Sequence, residues 1–271
     1  MAKIMDVKGQ PVMITGASSG IGLAFAHEFA RRGADLVLVA RSGQVLEALC
    51  LQLRETYAIN AIAIVADLSI IGASAAVYAQ ACAQGLTPTI LVNNAGFATY
   101  GRFEQLALDR QQGEILLNCM AVVEMTHHAL PAMIKKQHGA IINVASTAGL
   151  QPDPYMAIYG ATKAFVLSFS EALWAENLDQ GVRVLALCPG STETAFFDVV
   201  NAAEASVGKR MTAEAVVAIA FKALANNQNY VIAGFMNWLL GQLHRLLPRW
   251  LTLKIARKIL TPRADNPSIA S

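Results

Sequence analysis

Six short runs of aliphatic and β-branched residues, apolar at consecutive rather than alternate positions, constrain this chain more than any other feature. They are Val12-Met13-Ile14-Thr15, Leu36-Val37-Leu38-Val39, Ala61-Ile62-Ala63-Ile64-Val65, Ile90-Leu91-Val92, Ala140-Ile141-Ile142-Asn143-Val144 and Val182-Arg183-Val184-Leu185-Ala186. A strand with one wet face alternates. A strand apolar on both faces must be covered on both, as in a parallel sheet between two helical layers. Helix-period stretches fall between the runs at about 20–32, 43–57, 72–84, 110–136 and 156–178, and a last short strand is expected at Tyr230-Val231-Ile232. This alternation predicts an α/β chain with a doubly wound parallel sheet and helices on both faces. No repeat, low-complexity tract or linker interrupts it before residue 190, so one domain over 1–271 is the expectation.

Composition narrows the function classes. Hydrophobic residues at 55% against charged residues at 15% describe a chain with a large core and exclude a disordered one. A formal net charge of +2 is too small to argue for nucleic acid. Cys50, Cys82, Cys119 and Cys188 form no Cys-x-x-Cys pair, so neither a zinc ribbon nor a redox dithiol is written here, and no metal is expected. Scattered core thiols fit a reducing compartment, and neither a leader pattern nor a run of about 18 apolar residues is seen. A cytoplasmic protein is the expectation.

The first strand runs into Thr15-Gly16-Ala17-Ser18-Ser19-Gly20-Ile21-Gly22, which opens the first helix. Glycine permits positive φ and close backbone approach, and a helix start offers free N–H groups at the positive end of a dipole. Placed between a strand and a helix, the turn is an anion site suited to a pyrophosphate. A dinucleotide site selective for NAD usually carries an acid at the end of the second strand. Here Val39-Ala40-Arg41-Ser42 has none, and Asp35 lies at the other end of the strand, roughly 16 Å away at about 3.3 Å per residue. Arg41 can fork onto a 2′-phosphate, which favours NADP(H) over NAD(H). Asp67, followed by Leu68 after the third strand, is either an adenine contact or a helix N-cap. The small residues of Asn93-Asn94-Ala95-Gly96 let the chain pass close to a cofactor.

Tyr159 and Lys163 stand at i and i+4 on one helical face. Tyrosine is a poor base at its ordinary pKa near 10. An ammonium near 4 Å supplies about 4 kcal/mol at an effective dielectric near 20, or roughly three pKa units. The phenol can then trade a proton with an alcohol or carbonyl oxygen. Ser146, just past the fifth strand, can hydrogen-bond that oxygen as charge builds on it. Asn118 interrupts an apolar helix and needs a partner or a task, such as holding a relay water near the lysine.

These residues together resemble the short-chain dehydrogenase/reductase family, in its Tyr-x-x-x-Lys branch. The resemblance covers about residues 8–195 through Gly16/Gly20/Gly22, Asp67, Asn93-Asn94-Ala95-Gly96, Asn118, Ser146, Tyr159, Lys163 and Pro189-Gly190. It implies a Rossmann-type sheet of about seven strands, a nicotinamide dinucleotide cofactor, and a Ser/Tyr/Lys/Asn tetrad. Tyr159 would be the general acid/base, and Lys163 would hold the nicotinamide ribose. Pro189 and Gly190 would flank the nicotinamide, and Thr194 would touch its carboxamide. Thr192 stands where the family often has valine. Family members are commonly dimers or tetramers built on two long central helices.

The loops after strands four to six carry Phe97, Tyr100, Leu150, Gln151, Tyr155, Met156, Phe196 and Phe197, an apolar and aromatic set that suits an apolar carbonyl substrate. Residues 190–235 are expected as a substrate-loop region. Residues 236–260 are expected as a tail of two extra helices, 236–247 and Arg249–Leu260, broken at Pro248. From 215 to 264 there is no acid, but Lys222, Arg245, Arg249, Lys254, Arg257, Lys258 and Arg263 occur, and Trp238 and Trp250 fall in the tail. In the second helix Leu251, Ile255 and Ile259 form an apolar stripe. Such a tail can lie on an anionic membrane, close the pocket or meet a second subunit. The rival reading of the whole chain is a cofactor-binding regulator without turnover, and a further one is a membrane-peripheral acyl-chain ketone reductase.

Overall fold

Seven parallel strands form one sheet in the order β3-β2-β1-β4-β5-β6-β7. They are β1 (Pro11–Thr15), β2 (Asp35–Ala40), β3 (Ala61–Val65), β4 (Ile90–Asn93), β5 (Gly139–Val144), β6 (Val182–Cys188) and β7 (Tyr230–Ile232). The structure, a computed structural model, describes residues 6–194, 210–243 and 247–262. The helices are α1 (Gly20–Arg31), α2 (Gly43–Tyr57), α3 (Ala73–Ala83), α4 (Leu108–Ile115), α5 (Ala121–Lys136), α6 (Ala157–Glu176), α7 (Ala213–Ala225), α8 (Phe235–Leu243) and α9 (Arg249–Leu260).

The consecutive apolar positions in each strand divide between two cores. Val12, Ile14, Leu36, Leu38, Leu185 and Leu187 pack with Phe25 and Phe29 of α1, Leu46 and Leu53 of α2, and Val216 of α7. Met13, Val37, Val39, Ile141 and Val184 point the other way, onto Val77 of α3 and Met125, Ala129 and Met133 of α5. Both faces of the central strands are therefore dry, while at the edge strand β3 Val65 is exposed. Phe25 and Phe29 are wholly buried, each worth about 1.5–3 kcal/mol.

Two expectations need correction. Residues 213–225, expected within a loop region, form α7, whose Thr212 cap accepts a hydrogen bond from Ala215 N at 3.2 Å and which packs on α1. The single helix expected over 110–136 is α4 and α5 joined through a π turn at Leu116–Met120, with Asn118 at its middle. In the tail, α9 has the expected bounds, and α8 runs Phe235–Leu243; residues 244–246 lie outside the described ones. Strand order reverses between β1 and β4, and at such a switch point a crevice opens beyond the strand ends.

Candidate active site

A cleft of about 490 Å³ occupies that crevice. At its floor the chain leaves β1 through Gly16 and Gly20, at φ +65° and +55°. A Cβ on Gly16 would lie 2.8 Å from Asn94 Nδ2, and one on Gly22 only 2.2 Å from the Gly16 carbonyl oxygen, so the turn closes only on glycine. Asn94 braces it: Nδ2 donates to the Thr15 carbonyl at 2.9 Å and to the Gly16 carbonyl at 3.1 Å. Thr15 Oγ1 accepts from the N–H groups of Asn94 and Ala95, both at 3.0 Å. The Ser19 side chain makes no cap hydrogen bond to α1. The N–H groups at this helix start are thus without a side-chain cap among the described residues.

Gly16, Ser18, Ser19, Gly20 and Ile21 line the cleft, whereas Gly22 lies behind the turn as its packing residue. Arg41 and Leu68 line it beyond β2 and β3, and Asn94, Ala95 and Gly96 beyond β4. Pro189, Gly190, Thr192 and Thr194 line it beyond β6, with the Thr194 methyl 2.9 Å from where a Gly20 Cβ would stand. Arg41 is exposed, and no ion pair joins it to a carboxylate among the described residues. Asp67 also lines the cleft but is no helix cap. Gly72 caps α3, while Asp67 Oδ1 accepts from Ser69 N and Oγ at 2.9 and 2.6 Å. Those bonds, and secondarily the Arg41 charge, hold its carboxyl below the usual range.

The four expected catalytic residues converge. Ser146 ends the β5 loop and accepts from Ala148 N at 3.1 Å, while its side chain is hydrogen-bonded to Tyr159. Lys163 Nζ donates to the Val144 carbonyl at 2.8 Å and sits 5.7 Å from the Tyr159 ring centre. Asn118 is buried behind them. Its Oδ1 accepts from Phe97 N at 3.2 Å, and its Nδ2 donates to the Phe97 carbonyl at 2.9 Å and to Thr162 Oγ1 at 3.1 Å. Its amide is committed to these partners and does not line the cleft.

The electrostatics differ from the expected depression of the phenol by lysine. Burial dominates and pushes the Tyr159 phenol well above its ordinary value; the Ser146 hydrogen bond opposes this, and the charges of Glu114 and Asp153 add to it. Burial also lowers the Lys163 ammonium to about 8. Glu114 was not legible as a site residue. It is wholly buried, with Oε2 accepting from Thr99 N at 3.0 Å and Thr99 Oγ1 at 2.7 Å, and Oε1 has no hydrogen-bond partner among the described residues. Burial raises it to about 7. Asp153, which lines the cleft, is likewise raised by burial to about 7.

Of the expected pocket residues, Phe97, Leu150, Gln151 and Met156 line the cleft, and Phe196 and Phe197 lie outside the described residues. Tyr100 and Tyr155 do not line it. The Tyr100 hydroxyl is committed to the Leu260 carbonyl at 2.9 Å. Tyr155, at φ +64°, turns to Thr261 and Arg257 and borders a smaller neighbouring cavity. Leu240 and Gly241 of α8 and Ala256, Ile259 and Leu260 of α9 complete the wall, so the tail closes one side of the cleft. No group of three or more potential metal ligands occurs among the described residues.

The glycine turn that a Cβ would fill, at the start of α1, and the exposed Arg41 fit a dinucleotide lying across the switch point. At the far end of the same cleft a buried tyrosine is hydrogen-bonded to a serine, an arrangement suited to proton exchange with the oxygen of a CH–OH or C=O group. Comparison with known proteins agrees. The short chain dehydrogenase model matches residues 10–205. Very-long-chain 3-oxoacyl-CoA reductase of Mus musculus is 30% identical over 254 residues, covering 91% of this chain and 78% of that protein. Sulfoacetaldehyde reductase of Chromohalobacter salexigens is 42% identical over 190 residues, 68% of this chain and 73% of that protein. The chain spans 55% and 59% of the length of two other relatives, from Gallus gallus and Anas platyrhynchos. Among solved structures, a short-chain dehydrogenase from Sphingobium yanoikuyae in complex with NADPH superposes with a TM-score of 0.79 at 34% identity, over 94% of this chain and 98% of that one. The chain belongs to the short-chain dehydrogenase family.

Proposed function

We propose that this protein is an NADP(H)-dependent reductase of ketones or aldehydes with an apolar substrate. The observation that carries the reading is a neutral, buried Tyr159 bonded to Ser146 in a cleft whose other end presents Arg41 in no ion pair among the described residues. When bound, the nicotinamide supplies the hydride. Ser146 and Tyr159 orient the carbonyl oxygen, and the Tyr159 hydroxyl gives it a proton as negative charge develops. Lys163, held by the Val144 carbonyl, then faces a phenolate with a positive charge in a dry site. Asn118 fixes Phe97 and Thr162, keeping the β4 loop and the start of α6 in register. Phe97, Leu150, Met156, Leu240 and Ile259 give the substrate end an apolar lining.

Arg41 is the residue that would take the 2′-phosphate, and Ser18, Ser19, Gly20 and Ile21 would take the pyrophosphate. A homodimer or homotetramer belongs to the same reading, because Ile115, Met120 and Phe165 leave apolar surface exposed along α4 to α6. The test is NADPH oxidation across ketones of rising chain length, with Tyr159→Phe as control. Faster turnover of the longer apolar ketones, a preference for NADPH over NADH and loss of turnover in the variant are expected. Best turnover with small polar carbonyl compounds, or an active Tyr159→Phe, overturns the reading.

A further inference from the structure

In α9 the stripe Leu251, Ile255 and Ile259 would ordinarily face the core. Instead the helix packs through Thr252, Ala256 and Leu260, leaving Ile255 and Ile259 about half exposed, at 44% and 54%. Trp250 beside them is 60% exposed. The preceding helix adds Phe235, Met236, Trp238, Leu239 and Leu240, all exposed, and α8 holds no charged residue. Exposed apolar side chains concentrated on two helices whose Leu240 and Ile259 line one cleft mark an interaction site. Arg249, Lys254, Arg257 and Lys258 edge it, and no ion pair joins them to a carboxylate among the described residues. The sequence has no acid between 215 and 264.

We propose that α8 and α9 seat the protein on an anionic phospholipid surface, with the mouth of the cleft turned toward the lipid. Cations around exposed tryptophans and aliphatic side chains match a bilayer interface, where headgroup phosphates meet acyl chains. A symmetric contact with a second copy would set these cations against one another. No described helix is long and apolar enough to cross a membrane, so the contact is lateral. The surface is preformed, because the Tyr100 hydroxyl holds the Leu260 carbonyl and Tyr155 is bonded to Thr261 and Arg257. Leu240 and Ile259 belong both to the exposed patch and to the cleft wall. A hydrophobic carbonyl compound dissolved in the bilayer therefore has an apolar path to Ser146 and Tyr159.

Flotation of the full chain with phosphatidylcholine vesicles, with and without about one third phosphatidylglycerol, tests this. Binding to the anionic vesicles at low salt and release at high salt are expected. Arg249→Gln, Lys254→Gln and Lys258→Gln together should weaken binding about 100-fold, at about five-fold per charge, with an unchanged melting curve. Of the three tryptophans, Trp174 is tied to the Asn227 carbonyl away from the tail. The emission of the wild-type chain should shift to the blue on vesicles, and that of Trp238→Phe/Trp250→Phe should not. Failure to float at low salt, or equal flotation with pure phosphatidylcholine, overturns the proposal. So does shielding of Trp238 and Trp250 from a soluble quencher without lipid, which would put a second copy or another segment of the chain on the patch. The redox reading is tested separately, because Tyr159→Phe should float like the wild type.

Discussion

Glu114→Gln should make the protein more stable, and increasingly so as the pH rises. Burial raises the Glu114 carboxyl from its ordinary 4.5 to about 7, against the Thr99 hydrogen bonds and the Lys163 and Arg110 charges that lower it. Between those two values the folded chain keeps the proton and the unfolded chain has released it. The folded state binds more protons, so wild-type stability falls as the pH rises through this window. A gap of about 2.5 units at about 1.4 kcal/mol each corresponds to a loss of about 3 kcal/mol, complete above about pH 7. Glutamine keeps an acceptor for Thr99 and has nothing to ionise. The variant should match the wild type within about 1 kcal/mol near pH 4.5 and exceed it by about 3 kcal/mol near pH 8. Urea unfolding of both proteins at several pH values measures the difference, in which the titration of Asp153 cancels. A stability difference that does not change with pH would refute the reasoning, since Glu114 would then ionise alike in the folded and unfolded chains.

Arg41→Ala should raise the KM for NADPH about 10- to 100-fold, the worth of a charge-assisted fork, and leave that for NADH within about two-fold. Gly22→Ala places a methyl group 2.2 Å from the Gly16 carbonyl oxygen. It should cost about 1–3 kcal/mol in a thermal melt and weaken NADPH binding, measured by fluorescence titration. Thr212→Ala removes the cap of α7, so unfolding in urea should show a loss of about 1 kcal/mol with cofactor affinity unchanged.

The sheet was legible because a strand buried on both faces writes its state into consecutive residues; Met13 and Ile14 feed opposite cores without any gap in the apolar pattern. The glycine turn, Ser146, Tyr159 and Lys163 were legible because their chemistry depends on spacing along one turn or one helix. Helix α7 was not, since Ala213–Ala225 is apolar almost throughout, with only Glu214 and Lys222 charged to mark the side away from the buried Val216, Val217, Ala220 and Leu224. Glu114 reads as a solvated residue of a polar helix, and only the folded β4 loop, bringing Thr99 onto it, makes it a buried acid. Tyr155 and Tyr100 point to the tail rather than the cleft, an outcome set by the positive φ of Tyr155 and the position of Leu260 far along the chain. The stripe of α9 predicted an apolar face correctly but not its direction, because a helix reports its own faces and not which one finds a neighbour.

Proton inventory at the site sets one more prediction. Tyr159 stays protonated through neutral pH because burial and two nearby acids oppose its ionisation, which suits a residue that must give a proton to a carbonyl. The weak point is Lys163, whose ammonium is lost near pH 8 because it is buried. Above that value the phenolate left after proton transfer loses the ammonium as a counter-charge, so kcat for carbonyl reduction should be flat to about pH 8 and then fall by up to about tenfold per unit. The Glu114 charge favours the ammonium. Glu114→Gln should therefore move the break to lower pH while leaving Tyr159, Ser146 and the cleft in place. A pH profile of kcat under saturating NADPH and ketone separates the possibilities. A break near the ordinary lysine value, or one that Glu114→Gln leaves unmoved, would mean that Lys163 is solvated in the working enzyme and that Glu114 does not act on it.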